Sequence, residues 1–128
     1  MSGYSINIED KTLQNENFRE VLYTAKHSQL VVMTLQPGEE IGLETHEEHD
    51  QFIRVEEGTG EAILDGEKHK LEDGTAVVIP AGTEHNVVNT SKKDRLRLYT
   101  LYTPPEHPDG TTHRTKAEAD EYEKHHHG

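Results

Sequence analysis

The 128-residue sequence predicts an all-β sandwich or barrel that ends in one short helix. Two observations carry that prediction. The apolar residues fall into short β-branched and aromatic runs, and turn signals recur about every ten residues between them. No internal repeat with a period of roughly 20 to 50 residues is present.

Each element follows from local chemistry. Glu20 to Thr24 and Leu30 to Leu35 read as the first two strands, and Pro37-Gly38 ends the second. Gln51 to Val55 and Glu61 to Leu64 flank Glu57-Gly58-Thr59-Gly60, which reads as a hairpin connection. Asp65-Gly66 reads as a type I′ turn before Lys68 to Leu71, and Asp73-Gly74 as another before Ala76 to Ile79. Val87-Val88 and Leu96 to Tyr102 complete the strands.

The segment from Thr103 to Gly110 holds three prolines and a glycine in eight residues, so it cannot be regular structure. Thr115-Lys116-Ala117-Glu118 fits a capping box and predicts a mostly polar, peripheral helix from Lys116 to Lys124. No other helix is expected. The organisation expected is an N-terminal segment 1–18, a barrel 19–103, and a Pro-rich loop, helix and His-rich tail over 104–128. The terminal His125-His126-His127 run is excluded from the site, because a floppy tail must be ordered at each binding event.

Composition narrows the function classes. Lys and Arg total 13 against 25 Asp and Glu, a formal net charge of -12, which disfavours nucleic acid or an anionic membrane as partner. Cysteine is absent, so neither a disulfide nor a thiolate metal site is possible. Neither an apolar run of about 20 residues nor a signal-peptide pattern is visible, and a cytoplasmic location is expected.

Two segments hold the residues with chemistry, Gly42 to Gly58 and Gly74 to Asn89. Residues two apart share a face of a strand. Gln51, Ile53 and Val55 thus point one way and Phe52, Arg54 and Glu56 the other; His85, Val87 and Asn89 share a face. Imidazoles from different strands, with an amide or carboxylate oxygen, can converge on a metal ion. His27, His69, His107 and His113 read as ordinary hydrogen-bonded histidines. The acidic residues from Glu39 to Glu57 read as a solvated rim.

The second segment, Gly74, Pro80, Gly82, His85 and Asn89, matches the second cupin motif, G-x5-P-x-G-x2-H-x3-N. The first resembles the first cupin motif with departures. Glu48 follows His46 at plus two where the family has His, Gln51 stands in the place of the family Glu, and the turn between them is one residue shorter. Fifteen residues, Thr59 to Asp73, separate the motifs, and the resemblance covers Gln36 to Tyr102. The chain is therefore similar to small single-domain cupins of the kind labelled mannose-6-phosphate-isomerase-like.

That resemblance implies a double-stranded β-helix, or jelly roll, with His46, Gln51 and His85 together inside the barrel around a divalent metal. For the remaining ligand, strand parity favours Glu48, whereas a turn that releases His49 from parity favours His49. The expected set is His46, His49, Gln51 and His85, with Glu48 as a candidate proton-transfer group. Two or more imidazoles favour Mn, Fe, Ni or Zn over Mg or Ca. The function implied is a metal-dependent enzyme of isomerase, dioxygenase or decarboxylase type on a small polar carbohydrate or organic acid. The alternatives are a non-catalytic sensor domain or a metal-free epimerase. A homodimer is also expected, paired through sheet edges and outer faces.

Overall fold

The computed structural model describes residues 3–126, without the side chains of His125 and His126. Ten strands form two antiparallel sheets that face each other as a jelly roll. They are β1 (Arg19–Thr24), β2 (Gln29–Leu35), β3 (Glu44–Thr45), β4 (Asp50–Glu57), β5 (Gly60–Leu64), β6 (Glu67–Leu71), β7 (Ala76–Ile79), β8 (Glu84–Asn89), β9 (Leu96–Thr103) and β10 (Thr112–His113). The larger sheet runs β10-β1-β2-β9-β4-β7 and the smaller β3-β8-β5-β6.

The alternation read from the sequence fixes which face is core. Along β4, Gln51, Ile53 and Val55 are buried while Phe52, Arg54 and Glu56 are half-buried on the other face. Met33, Leu35, Leu96 and Leu98 join Ile53 and Val55 from the large sheet, and Ala62, Leu71 and Val87 close over them from the small one. Asp65 and Gly66 both have positive φ, 48° and 84°, as a type I′ turn requires. At Asp73-Gly74 only the glycine has positive φ, 89°, with Thr75 N–H donating to Glu72 O, so this turn is not type I′.

Two helices flank the sheets: α1 (Ile8–Gln14) and α2 (Lys116–His126). The sequence predicts only the second. α1 exists because Asn7 caps it, accepting from Asp10 N–H, and Glu9 and Asp10 complement its N-terminal dipole. It has seven residues, of which Thr12 is buried, so it leaves no 3.6-residue apolar stripe to read. Its C-cap, Asn15, is tied to Thr34 and Arg97 on the outer face of the large sheet.

α2 is less peripheral than expected. Thr115 caps it as the capping box requires, while Glu118 reaches past the cap to accept from Arg114 N–H. Ala119 enters the core at 3% exposure, and Tyr122 packs on His113 with ring centroids 5.1 Å apart. β10 interrupts the tail and pairs with β1 at Arg19 and Glu20, so part of the β1 edge offered to a partner is used within the chain.

Candidate metal centre

The loop between β7 and β8 aims His85. Pro80 O accepts from Thr83 N–H across a turn whose Gly82 has φ 87°, a conformation other residues rarely adopt. Gly82 N–H then donates to His46 O at 2.9 Å, which ties the second motif to the first. Asp50 adds a clamp by accepting from Ala81 N–H at 2.9 Å. Asn89, the last motif residue, is structural: its amide donates to Leu35 O, Gln36 O and Asp94 O.

His85 is buried, 4% exposed, and its Nδ1 lies 2.9 Å from Thr83 O. A carbonyl only accepts, so Nδ1 carries the proton and Nε2 carries a lone pair. That Nε2 is buried with no hydrogen-bond partner. The His46 ring lies 5.2 Å from the His85 ring, centroid to centroid. Glu44 stands opposite His85 in the β3–β8 register, and its Oε1 is 3.9 Å from His46 Nε2. Ligand atoms of Glu44, His46 and His85 all lie within 4.8 Å of one another.

Gln51 presents a second unpartnered acceptor. Its Nε2 donates to Thr100 Oγ1 at 3.1 Å, which leaves the buried Oε1 with no partner. Gln51 faces Tyr102 in the β4–β9 register, and the Tyr102 ring is 6.1 Å from His46.

His49 is half-buried beside His46, with rings 5.8 Å apart and perpendicular. Both its nitrogens are engaged: Nδ1 with Pro104 O at 2.7 Å and Nε2 with Glu106 Oε2 at 2.9 Å. Glu106 also approaches His46 Nδ1 at 3.6 Å, so His46 turns one nitrogen to Glu44 and the other to Glu106. Glu48 is exposed. Strand β3 ends at Thr45 and the chain bends at Glu47 and Glu48, so the parity that would place Glu48 beside His46 does not extend that far.

The donor set fits a late divalent ion. Two imidazoles, one on β8 and one just past the end of β3, the first with its lone pair fixed and unpartnered, stand with a carboxylate, while Gln51 offers a buried amide oxygen. Buried acceptors without partners are rare, and a cation that accepts their lone pairs removes the penalty.

Behind this cluster a further set of polar side chains is buried. Tyr102 packs edge-on against His107 at 5.2 Å, and burial raises its hydroxyl above the ordinary tyrosine range. His107 is pushed down to about 3, first by burial and then by Arg19 and neighbouring histidines. Burial also lowers His113, which Arg19 Nη1 approaches at 3.3 Å.

Sequence reasoning did not single out Glu44 or Glu106 as site residues. Glu44 shares parity with His46, two residues away, and that signal was present within the acidic run. Glu106 had none: it arrives from the Pro-rich loop because buried Gln29 accepts from Glu106 N–H and His107 N–H and donates to His107 O.

Known proteins share this architecture. Residues 31–102 match the cupin domain family. The chain is 47% identical over 122 residues to YrkC of Bacillus subtilis, described as uncharacterised, across 91% of this chain and 65% of that one. It thus spans just under two thirds of that relative's length. The crystal structure of a Bacillus halodurans protein superposes with a TM-score of 0.89 at 46% identity, over 92% of this chain and 93% of the other. A shorter match, 34% over 73 residues, joins 57% of this chain to 22% of the quercetin 2,3-dioxygenase of Bacillus subtilis. The family match spans the barrel strands from β2 to β9, and by it this chain belongs to the cupin family.

Proposed function

We propose that this cupin is a metal-dependent enzyme acting on a small polar molecule, a carbohydrate or organic acid. The observation that carries the reading is the buried, unpartnered Nε2 of His85 beside His46 and Glu44. His46, His85 and Glu44 would hold a divalent ion of the Mn, Fe, Ni or Zn kind, with Gln51 as a further ligand and His49, whose nitrogens face Pro104 O and Glu106, packed beside His46. Such an ion supplies Lewis acidity toward a substrate carbonyl or hydroxyl.

The chain's own residues do the remaining work. Thr83 O holds the His85 ring in one tautomer. Glu106 orients His49 and faces the outer nitrogen of His46, the kind of carboxylate that sets ligand orientation. His49 and exposed Glu48 line the same open space and would serve as proton-transfer groups. The short match to a dioxygenase supports an enzyme.

Protein without its terminal His run tests this reading. Elemental analysis after removal of loosely bound ions should find about one transition metal per chain, lost in His46→Ala/His85→Ala while the β-sheet circular dichroism persists. Manganese-loaded protein should relax water protons through an exchangeable position, as catalysis requires. A bound metal with no exchangeable water would instead assign the site to a structural or sensing role.

A second copy of this chain is the proposed partner. Val78, Phe52, Leu101 and Leu30 are neighbours in register across four strands on the outer face of the large sheet. Val78 is 64% exposed. No member of this row is charged, so in a chain of net charge -12 it is a surface where two copies meet with little repulsion. A single 14.5 kDa species at micromolar concentration in sedimentation would count against it.

A further inference from the structure

The way to the His46–Glu44 cluster runs through an open vestibule of about 700 Å3. Three stretches distant in sequence line it: the β3 segment and the bend after it, the Pro-rich loop, and α2. Together they contribute six carboxylates and one ammonium. Glu44 comes from β3, Glu47 and Glu48 from the bend, Glu106 from the loop, and Asp120 and Glu123 from α2. The ammonium, Lys116, is bonded to Asp120 Oδ1 at 2.7 Å, so these two charges largely offset each other and the other five carboxylates set the sign of the lining.

An acidic rim alone would be a solvated surface. Here a second observation stands beside it: Glu44 and His46, both of which line the space, are clustered with the buried, unpartnered Nε2 of His85 just behind them. A space of that volume is about 11 Å across, close to the Debye length of about 10 Å in 0.1 M salt, so its carboxylates act across most of it. A divalent ion seated on Glu44, His46 and His85 would still leave the lining net negative.

We propose that the vestibule is a charge filter: the molecule that reaches the centre carries no net negative charge, and a protonated amine is preferred to an uncharged hydroxyl compound of the same shape. The inference rests on the enzyme reading and narrows its substrate class, favouring amino-sugar-like or neutral polyol compounds over organic acids. α2, which lies outside both motifs, becomes a specificity element through Asp120 and Glu123.

Three sugars of one shape and different charge test it: glucosamine, glucose and glucuronate, titrated at pH 6.5 into zinc-loaded protein lacking the terminal His run. Binding should weaken in that order, by about fivefold or more per step at 20 mM salt, and the spread should shrink at 200 mM. Glu47→Lys/Asp120→Lys should reverse the order. Since sugars bind many proteins weakly, 4-amino-, 4-hydroxy- and 4-carboxy-nitroxides supply a readout independent of affinity. The cationic probe should broaden the His46 ring protons most and the anionic probe least.

Glucuronate binding as tightly as glucosamine, or equal broadening by the three nitroxides, overturns the filter. Zinc content is measured on the same samples. Zinc present with the charge order absent rejects the filter alone, and the charge order without bound zinc rejects the metal reading and leaves the filter standing.

Discussion

Glu44 stands directly opposite His85 in the β3–β8 ladder, so the two side chains leave the sheet as cross-strand neighbours. Both reach toward His46, two residues after Glu44, and the three share one space. The backbone ladder therefore places a carboxylate next to an imidazole whose free nitrogen has no other partner.

The first prediction follows from that pair. Glu44→Gln keeps the shape of the site and removes one negative charge from the ligand cluster. Zinc affinity measured by competition with a chelator should fall about tenfold to a hundredfold. An unchanged affinity would make Glu44 an ordinary rim carboxylate.

The second concerns His49 and Glu48. His49 is half-buried between Pro104 O and Glu106, whereas Glu48 is exposed at the bend. His49→Ala removes a ring that packs on His46, and should weaken metal binding about tenfold. Glu48→Gln should change it less than twofold. The opposite result would return Glu48 to the place of the second ligand.

The outcome for these residues shows where the sequence speaks and where it falls silent. Period-2 alternation in Gln51 to Val55 gave the buried face, because a strand face is a local property; on β8 His85, Val87 and Asn89 are buried as expected, but Asn86 on the other face is buried as well, bonded to Gly42 N–H and Glu40. The second motif was legible for a similar reason, since its proline and glycines form one continuous turn that aims His85. Parity failed at Glu48 because β3 is two residues long, and nothing in the acidic run marks that stop. Glu106 was illegible, because its position depends on Gln29 in another strand holding the Pro-rich loop.

The third prediction tests Gln51, whose Oε1 is buried and unpartnered. Gln51→Glu puts a carboxylate there. With metal bound the added charge favours harder ions, so Mn2+ affinity should rise about tenfold. Without metal the buried carboxylate is unfavourable, so the thermal midpoint of the metal-free variant should drop below that of the parent. If neither quantity moves, Gln51 has no part in the metal site.

The fourth concerns the fold. Gly60 sits in β5 between β6 and β8, where a Cβ would run into Val88 O of the adjacent strand. Backbone on backbone cannot yield as a flexible side chain can. Gly60→Ala should therefore destabilise the protein by about 2–3 kcal/mol in urea denaturation. Gly66→Ala makes the comparison, because that glycine has positive φ and open space around it, so any loss there comes from backbone strain without a clash.

The last prediction is a pH dependence set by His107. Tyr102 packs on its ring, and Arg19, His113, His46 and His49 are the charged or titratable groups that hold its proton affinity down, after burial itself. Its pKa falls from 6.5 to about 3 on folding. Between those values the unfolded chain binds the proton and the folded chain does not, so stability rises with pH through the window and levels off above about 6.5. Acidification from pH 7 to 5 should then cost the metal-free protein about 2 kcal/mol through this residue, at no more than about 1.4 kcal/mol per pH unit. His107→Gln keeps a polar side chain in the loop and cannot take up the proton. Urea denaturation at pH 7 and pH 5 should show the parent losing more stability than the variant. His113, present in both proteins, cancels in that comparison. Parallel losses in the two proteins would mean that the His107 ring is protonated in the folded state with little penalty.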